Sequence, residues 1–283
     1  AQYMVLPRWA ALAEVQWSNP EKKNYENFLT RLPQLINIYE AEGYNYAKHV
    51  FDVKSEFVAN SATGAVDVVM TTIDGAPIHY TLDGTEPTAS PVCDSILTIK
   101  ESCTLKAVAV RPTGNSKMLT EKIAFSKSTS KPIKANQPVN KQYEFGGVST
   151  LVDGLKGNGN YKTGRWIAFY KNDMDVTIDL QQPTEISSVA ITTCVEKGDW
   201  VFDARSFSIE VSDDDKTFTK VASEAYPEMK ETDRNGLYEH KLTFDPVKTR
   251  YVKVVATSEH SIPAWHGGKG NPGFLFVDEI TLN

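Results

Sequence analysis

From about residue 55 onward the apolar residues of this chain come in short runs rich in β-branched and aromatic side chains, a pattern that suits strands and leaves little room for long helices. VDVVMTTI, PIHYTL, ILTI, TLKAVAV and EKIAFS fall between residues 66 and 126, with Asp74-Gly75 and Asp83-Gly84 between them as turn signals. After residue 143 the pattern resumes with VTIDL, SSVAITTCV, SFSIEVS, YEHKLTF, YVKVVAT and FLFVDEITL, now separated by longer loops that carry Trp166, Trp200 and Trp265. Two β-sandwiches are predicted, the second with its function on its loops. The 127–142 stretch is rich in Lys, Pro and Asn and poor in large apolar residues, so it reads as a linker.

The first 50 or so residues have a different period. PRWAALAEVQW predicts a short helix with Pro7 at its start, and a second helix is expected over about 21–42. There Tyr25, Phe28, Leu29, Leu32, Leu35, Ile36 and Tyr39 form one apolar stripe. Ser18 stands where a cap is expected, Gly43 where the helix should end, and Pro33 where it should kink or open. A pair of helices cannot bury that stripe alone. The chain also enters a helix almost at once without an initiating Met or a secretion signal, so a truncated polypeptide is expected.

Composition narrows the function. At 283 residues the chain suits roughly two domains. A net charge of -6 argues against a nucleic-acid partner, because that affinity comes from clustered Lys and Arg. No run approaches the ~20 apolar residues of a membrane-spanning helix. Three cysteines are too few for a disulfide framework, though pairing of Cys93 with Cys103 across neighbouring strands stays open.

LPRWAALAEVQW, followed by GYNYAKHVFDV, resembles the end of the catalytic (β/α)8 barrel of family 20 glycoside hydrolases, the β-N-acetylhexosaminidases. Arg8, Glu14, Trp17, Gly43, Asn45 and Tyr46 carry that likeness, all as scaffold. That family uses an Asp-Glu pair in a His-x-Gly-Gly-Asp-Glu motif, the Asp orienting the substrate acetamido group and the Glu protonating the leaving oxygen; the motif is absent here. Asp278-Glu279 is no substitute, since it falls in what reads as the last strand, where successive side chains point to opposite faces. PIHYTLDGTEPTASP resembles the small β domain that follows the barrel in chitobiases, a spacer and support.

LVDGLKGNGNYKTGRW, WVFDARSFSIEVSDDDKTF and RYVKVVATSEHSIPAWHGGKGNPGFLFVDEI together resemble the discoidin or coagulation-factor type C fold, close to carbohydrate-binding module family 32. Asp215-Lys216 replaces the usual Asp-Gly of that fold, so its turn should be strained or of another type. The resemblance implies a structural Ca2+ held by Asp153, Thr163 and Glu279 with backbone carbonyls of the 157–163 loop, although Asp153 could equally be a turn-capping carboxylate. It also brings Trp200, Arg205, Trp265 and His266 to one end of the sandwich, where an apolar platform and polar donors would suit a pyranose; the competing reading has the tryptophans packing loops against the core.

The expectation is thus a mainly β chain in four segments. Residues 1–53 are the terminal helices of a TIM barrel, 54–126 a fibronectin-like sandwich, 127–142 a linker and 143–283 a discoidin-like sandwich. As a non-catalytic part of a secreted, periplasmic or surface-exposed bacterial β-N-acetylhexosaminidase, it would bind glycans ending in GalNAc, GlcNAc or galactose. The alternative is an adhesion or scaffold module that binds protein or lipid.

Overall fold

The computed structural model describes residues 1–112 and 114–283, which divide into two compact units. One comprises Ala1–Glu56, Val69–Leu97 and Cys103–Glu121, and the other Phe57–Val68, Thr98–Ser102 and Lys122–Asn283.

The first unit opens with α1 (Gln2–Val5), α2 (Arg8–Trp17) and α3 (Tyr25–Ala41). The second expected helix starts at Tyr25, where its apolar stripe begins, and not near residue 21, because Asn24 caps it at the N-terminus, its Oδ1 accepting from Asn27 N–H at 2.9 Å. Ser18 is instead the C-cap of α2. Pro33 sits inside α3 without ending it. Gly43, at φ +68°, closes α3: Gly43 N–H donates to Glu40 O and Tyr44 N–H to Tyr39 O, the paired bonds of a left-handed helix end. Of the stripe, Leu32, Ile36 and Tyr39 are buried around Tyr46, whereas Tyr25 is 68% exposed.

Six strands follow in two three-stranded sheets. β1 (Lys54–Asn60), β2 (Ala65–Thr71) and β4 (Leu97–Ile99) form one, and β3 (Ile78–Thr81), β5 (Cys103–Ala109) and β6 (Leu119–Ile123) the other. Gly75 and Gly84 both take positive φ in their turns. Among the described residues none of the three cysteines forms a disulfide. Cys93 N–H donates to Ile78 O while Thr104 N–H donates to Leu82 O, so Cys93 and Cys103 lie at opposite ends of β3, too far apart to pair.

The second unit is built on β7 (Ile133–Ala135), β8 (Ile167–Tyr170), β9 (Met174–Val195), β10 (Ser206–Ser212), β11 (Thr219–Ala225), β12 (Gly236–Thr257), β13 (Phe274–Val277) and β14 (Thr281–Leu282). The sheet order is β11-β10-β12-β9-β13-β8, with β7 and β14 also paired to β9. The ladder between β9 and β12 slips between Thr243 and Val247 and again between Thr249 and Tyr251. Pro246 and Pro183 lie at those slips, where a residue without an N–H cannot continue the ladder. Alternate residues then face one core: Val176, Ile178 and Leu180 from β9, Val252, Val254 and Ala256 from β12, and Phe207 and Ile209 from β10.

The 127–142 segment corrects the linker reading. Its Ile133–Ala135 pairs with Ile178–Val176, and its small hydroxyl residues are buried and satisfied, Ser128 Oγ donating to Ile280 O at 2.5 Å and Ser130 Oγ to Ala65 O at 2.6 Å. Polar composition here marks hydrogen bonding to buried carbonyls. Asp215 takes φ +58°, the left-handed conformation usually given to glycine, while Asp214 Oδ1 accepts the N–H groups of Lys216 and Thr217.

In the first unit, Arg111 forks onto Asp74 with two bonds of 2.7 Å and donates a third to Phe51 O at 3.0 Å. The guanidinium holds the Asp74 carboxyl below the usual carboxylate range despite its burial. A depressed pKa stabilises the fold above the unfolded value of about 3.9 and stops doing so as pH falls through the folded value. Asp74→Asn should therefore lower the melting midpoint at neutral pH by the equivalent of about 1.5–3 kcal/mol, with the gap closing below about pH 4 in a pH series of thermal melts.

Candidate functional site

The strand ends of the sandwich carry loops 196–205, 226–235 and 258–273 to one end, together with the 171–173 turn and the segment before β8. Trp200 takes φ +64° after a single 3-10 turn, and its carbonyl accepts from Phe274 N–H at 2.8 Å, which fixes it against β13. Its ring lies on the backbone of Gly268, where a Cβ would come within 2.8 Å. Trp265 Nε1 donates to Met229 O at 2.9 Å, and Lys197 Nζ sits 5.4 Å from its ring centroid. His266 accepts at Nδ1 from Gly268 N–H at 3.0 Å, so its Nε2, 2.9 Å from Lys197 O, carries the proton.

The structure thus gathers Trp200, Trp265 and His266 around Val195, Phe202, Met229 and Ile262. Arg205 lies at the same end but turns to Glu259, Nη1 to Oε2 at 2.8 Å, and its buried Nε has no hydrogen-bond partner. The polar atoms of Trp265 and His266 are engaged by backbone groups that hold the loops together. They offer ring faces and no spare donors.

A second aromatic group, which sequence reasoning missed, shares this end. Tyr143 packs edge-on to Phe276 at 4.9 Å and to Tyr161 at 6.1 Å, and Phe274 stands 6.0 Å away. Phe145, at φ +41°, lies 6.4 Å from Tyr143 and is 50% exposed. Polar groups rim the floor: Tyr161 hydroxyl donates to the Asp199 carboxylate, and Lys162 Nζ pairs with it at 3.2 Å. Burial, then the Asp199 bond, pushes the Tyr161 hydroxyl up to about 12, and bonds from Tyr161 and Lys162 hold Asp199 below the usual range. Tyr143 and Phe145 adjoin the supposed linker, which drew attention away from them.

The residues expected to hold a cation are placed as follows. Asp153 and Glu279 are both buried; Asp153 Oδ1 accepts from Leu155 N–H at 2.9 Å and Glu279 Oε2 from Gly154 N–H at 3.1 Å. Glu279 Oε1 is buried without a partner, and burial together with the nearby Asp153 charge pushes this carboxyl well above its ordinary range. Asp278, pushed to about 6 by burial, accepts from Gly157 N–H at 2.9 Å and Thr192 N–H at 3.3 Å. Both acidic residues fall in the break between β13 and β14, outside the final strand expected of them. Thr163 Oγ1 donates to Asn160 O at 3.0 Å in its own turn.

Among the described residues no group of three or more His, Cys, Asp or Glu is arranged for a metal. The donor set is oxygen only, with one carboxylate oxygen unsatisfied, and this suits a hard cation completed by backbone carbonyls. Gly157 shapes the loop, since a Cβ there would fall 2.2 Å from the buried Trp166 ring.

Residues 128–271 match the F5/8 type C domain, and residues 68–123 match the Fn3 associated domain. No curated protein sequence matches the chain significantly. Solved structures with similarity include a Streptococcus pneumoniae fucose binding module, 19% identical over 56% of this chain and 94% of its own, with a TM-score of 0.37. CpGH89CBM32-5 from Clostridium perfringens, in complex with GalNAc-β-1,3-galactose, is 19% identical over 53% of this chain and 93% of its own, with a TM-score of 0.34. SpGH29 is 12% identical over 56% of this chain with a TM-score of 0.34, and the match spans 27% of its length.

Because the Trp200 ring rests on Gly268, Gly268→Ala should force the ring or the 258–273 loop to shift. A loss of about 1–3 kcal/mol, the usual cost of overpacking, is expected in denaturant melts, and an unchanged midpoint would show that the loop yields freely.

Proposed function

The chain belongs to the F5/8 type C domain family, and from that premise we propose that the loop end of its sandwich binds carbohydrate. The observation that carries this reading is the floor of Tyr143, Phe145, Tyr161 and Phe274 rimmed by Lys162 and Asp199. A sugar has an apolar C–H face and a ring of hydroxyls. Flat rings beside charged donors and acceptors answer both. Trp200, whose carbonyl accepts from Phe274 N–H, is included in the proposed site together with Trp265, His266 and Arg205, and the ligands proposed are glycans ending in GalNAc, GlcNAc or galactose.

Phe145→Ala removes an exposed ring, so the core is left alone. It should weaken binding of such a glycan about tenfold in calorimetry, equivalent to about 1.4 kcal/mol, with the melting midpoint unchanged. Equal affinity in the variant would remove the aromatic floor from the site.

We further propose that the chain is the C-terminal part of a bacterial β-N-acetylhexosaminidase that acts outside the cytoplasm. The resemblance of residues 1–53 to the end of that family's barrel supports this, as does the exposed apolar surface of Trp9, Leu12, Val15 and Trp17 on α2. The sandwich would then hold the catalytic domain near its glycan, raising the local substrate concentration. The second reading, an adhesion module for protein or lipid, draws on the same exposed rings. It is separated by binding to anionic vesicles in place of glycans.

For the cation, we propose Ca2+ held by Asp153 and Glu279 with backbone carbonyls of the following loop; the orphaned Glu279 Oε1 supports this reading. Bound Ca2+ would neutralise two adjacent buried carboxylates, and the chain itself orients them through Gly154 and Leu155 N–H groups. Chelation should lower the melting midpoint and added Ca2+ restore it, while Glu279→Gln should abolish the response. A midpoint indifferent to chelator in the wild type would leave Asp153 as a turn cap only.

A further inference from the structure

Beside the aromatic floor lies a second concavity of about 650 Å3, lined by the 137–142 segment and the 170–172 turn. That size falls within the ~300–1,000 Å3 range of small-molecule sites. We propose that this cleft recognises a carboxylate-bearing sugar, as an acidic subsite next to the neutral-sugar floor. The inference rests on the carbohydrate reading above and deepens it.

Charge is the first argument. Lys141 and Lys171 line the cleft, and among the described lining residues there is no Asp or Glu, in a chain whose net charge is -6. Lys134, Lys162 and Lys253 of the sandwich are paired with Asp215, Asp199 and Asp175, whereas among the described residues neither Lys141 nor Lys171 has a carboxylate partner, Lys171 Nζ lying 5.3 Å from the Tyr170 ring centroid. Asp173, next in the chain after Asn172, is engaged by Ser258 N–H at 2.9 Å and His260 Nε2 at 2.8 Å. Two unneutralised cations facing one concavity attract an anion, and at physiological salt the distant acidic residues are screened beyond about 8 Å.

Preorganisation is the second. Asn172 Nδ2 donates to Pro138 O at 2.6 Å, tying the turn to the facing segment, and its Oδ1 accepts from Tyr170 N–H at 3.2 Å. Asn140 N–H donates to Ala168 O at 2.8 Å, and its Oδ1 accepts from Gln142 N–H at 3.0 Å. The walls are therefore set before any ligand arrives, which lowers the ordering cost of binding. The Gln137 amide, with Gln142 whose Nε2 also donates to the Tyr143 hydroxyl at 3.2 Å, gives the mixed donors and acceptors that hydroxyls require.

Continuity is the third. Tyr170 stacks on Phe274 with centroids 4.3 Å apart and planes at 19°, and Phe274 belongs to the aromatic floor. One oligosaccharide can thus lie across both. The acid alone distinguishes the cleft from the floor.

The test compares digalacturonate with digalactose and sialyllactose with lactose by calorimetry on the full chain, for the wild type, the double variant K141M/K171M and F145A. At least one acidic sugar should bind about tenfold more tightly than its neutral counterpart, with the advantage shrinking as salt is raised. The double variant should lose that advantage while keeping its neutral-sugar affinity, and the preferred acid identifies the source as uronic or sialic. Neutral binding that depends on Phe145, with no preference for either acid or a preference that survives in K141M/K171M, overturns the cleft assignment alone. Absence of binding by all four sugars overturns the cleft assignment and removes galactose from the ligands of the floor, whereas the carbohydrate reading itself falls only if glycans ending in GalNAc and GlcNAc also fail to bind.

Discussion

The antiparallel ladder between β9 and β12 is the constraint on which the sandwich depends. Each strand is 22 residues long, and the slips at Pro183 and Pro246 let a single pair of strands serve two stretches of sheet. Val195 stands opposite Gly236 and Met174 opposite Ala256, so the loops leave the ladder from paired strand ends, and bonds such as Phe274 N–H to Trp200 O and Gly273 N–H to Glu259 O then tie them together. Loops of differing sequence can then gather there, since the ladder supplies position and the loop side chains supply chemistry.

Two kinds of loop chemistry coexist at that end. Trp265, His266 and Trp200 use their polar atoms or carbonyls to bind neighbouring loops, whereas the Tyr143–Phe145 group leaves a ring open. The difference is one of satisfied against unsatisfied capacity. The same distinction marks Glu279, the carboxylate whose orphaned oxygen sets it apart from Asp278, which is well supplied with N–H donors.

Much of the fold was legible because it follows from short-range pattern. Alternation in Val176, Ile178 and Leu180 announced a strand, and Gly43 announced the end of α3. Where the reading failed, a distant partner decided the outcome. Ser128 and Ser130 look like linker residues until the carbonyls of Ile280 and Ala65 are brought to them, and Cys93 and Cys103 look adjacent until β3 is seen to separate them. The grouping of Trp200, Trp265 and His266 came from the resemblance to the discoidin fold and not from any local pattern in the chain. Arg205's attachment to Glu259 and the grouping of Tyr143 with Phe276 were not legible, since they join residues 54 and 133 positions apart.

The tryptophans are distributed unevenly. Trp9 and Trp17 on α2 are 62% and 90% exposed, Trp166 is fully buried beneath Gly157, and Trp200 and Trp265 lie between these extremes. Intrinsic fluorescence of the folded chain is therefore a sum of red-shifted, quencher-accessible emission from the helices and blue-shifted, protected emission from the sandwich. A soluble quencher strips away the first and leaves the second, so the two units carry separate optical signatures without any added label.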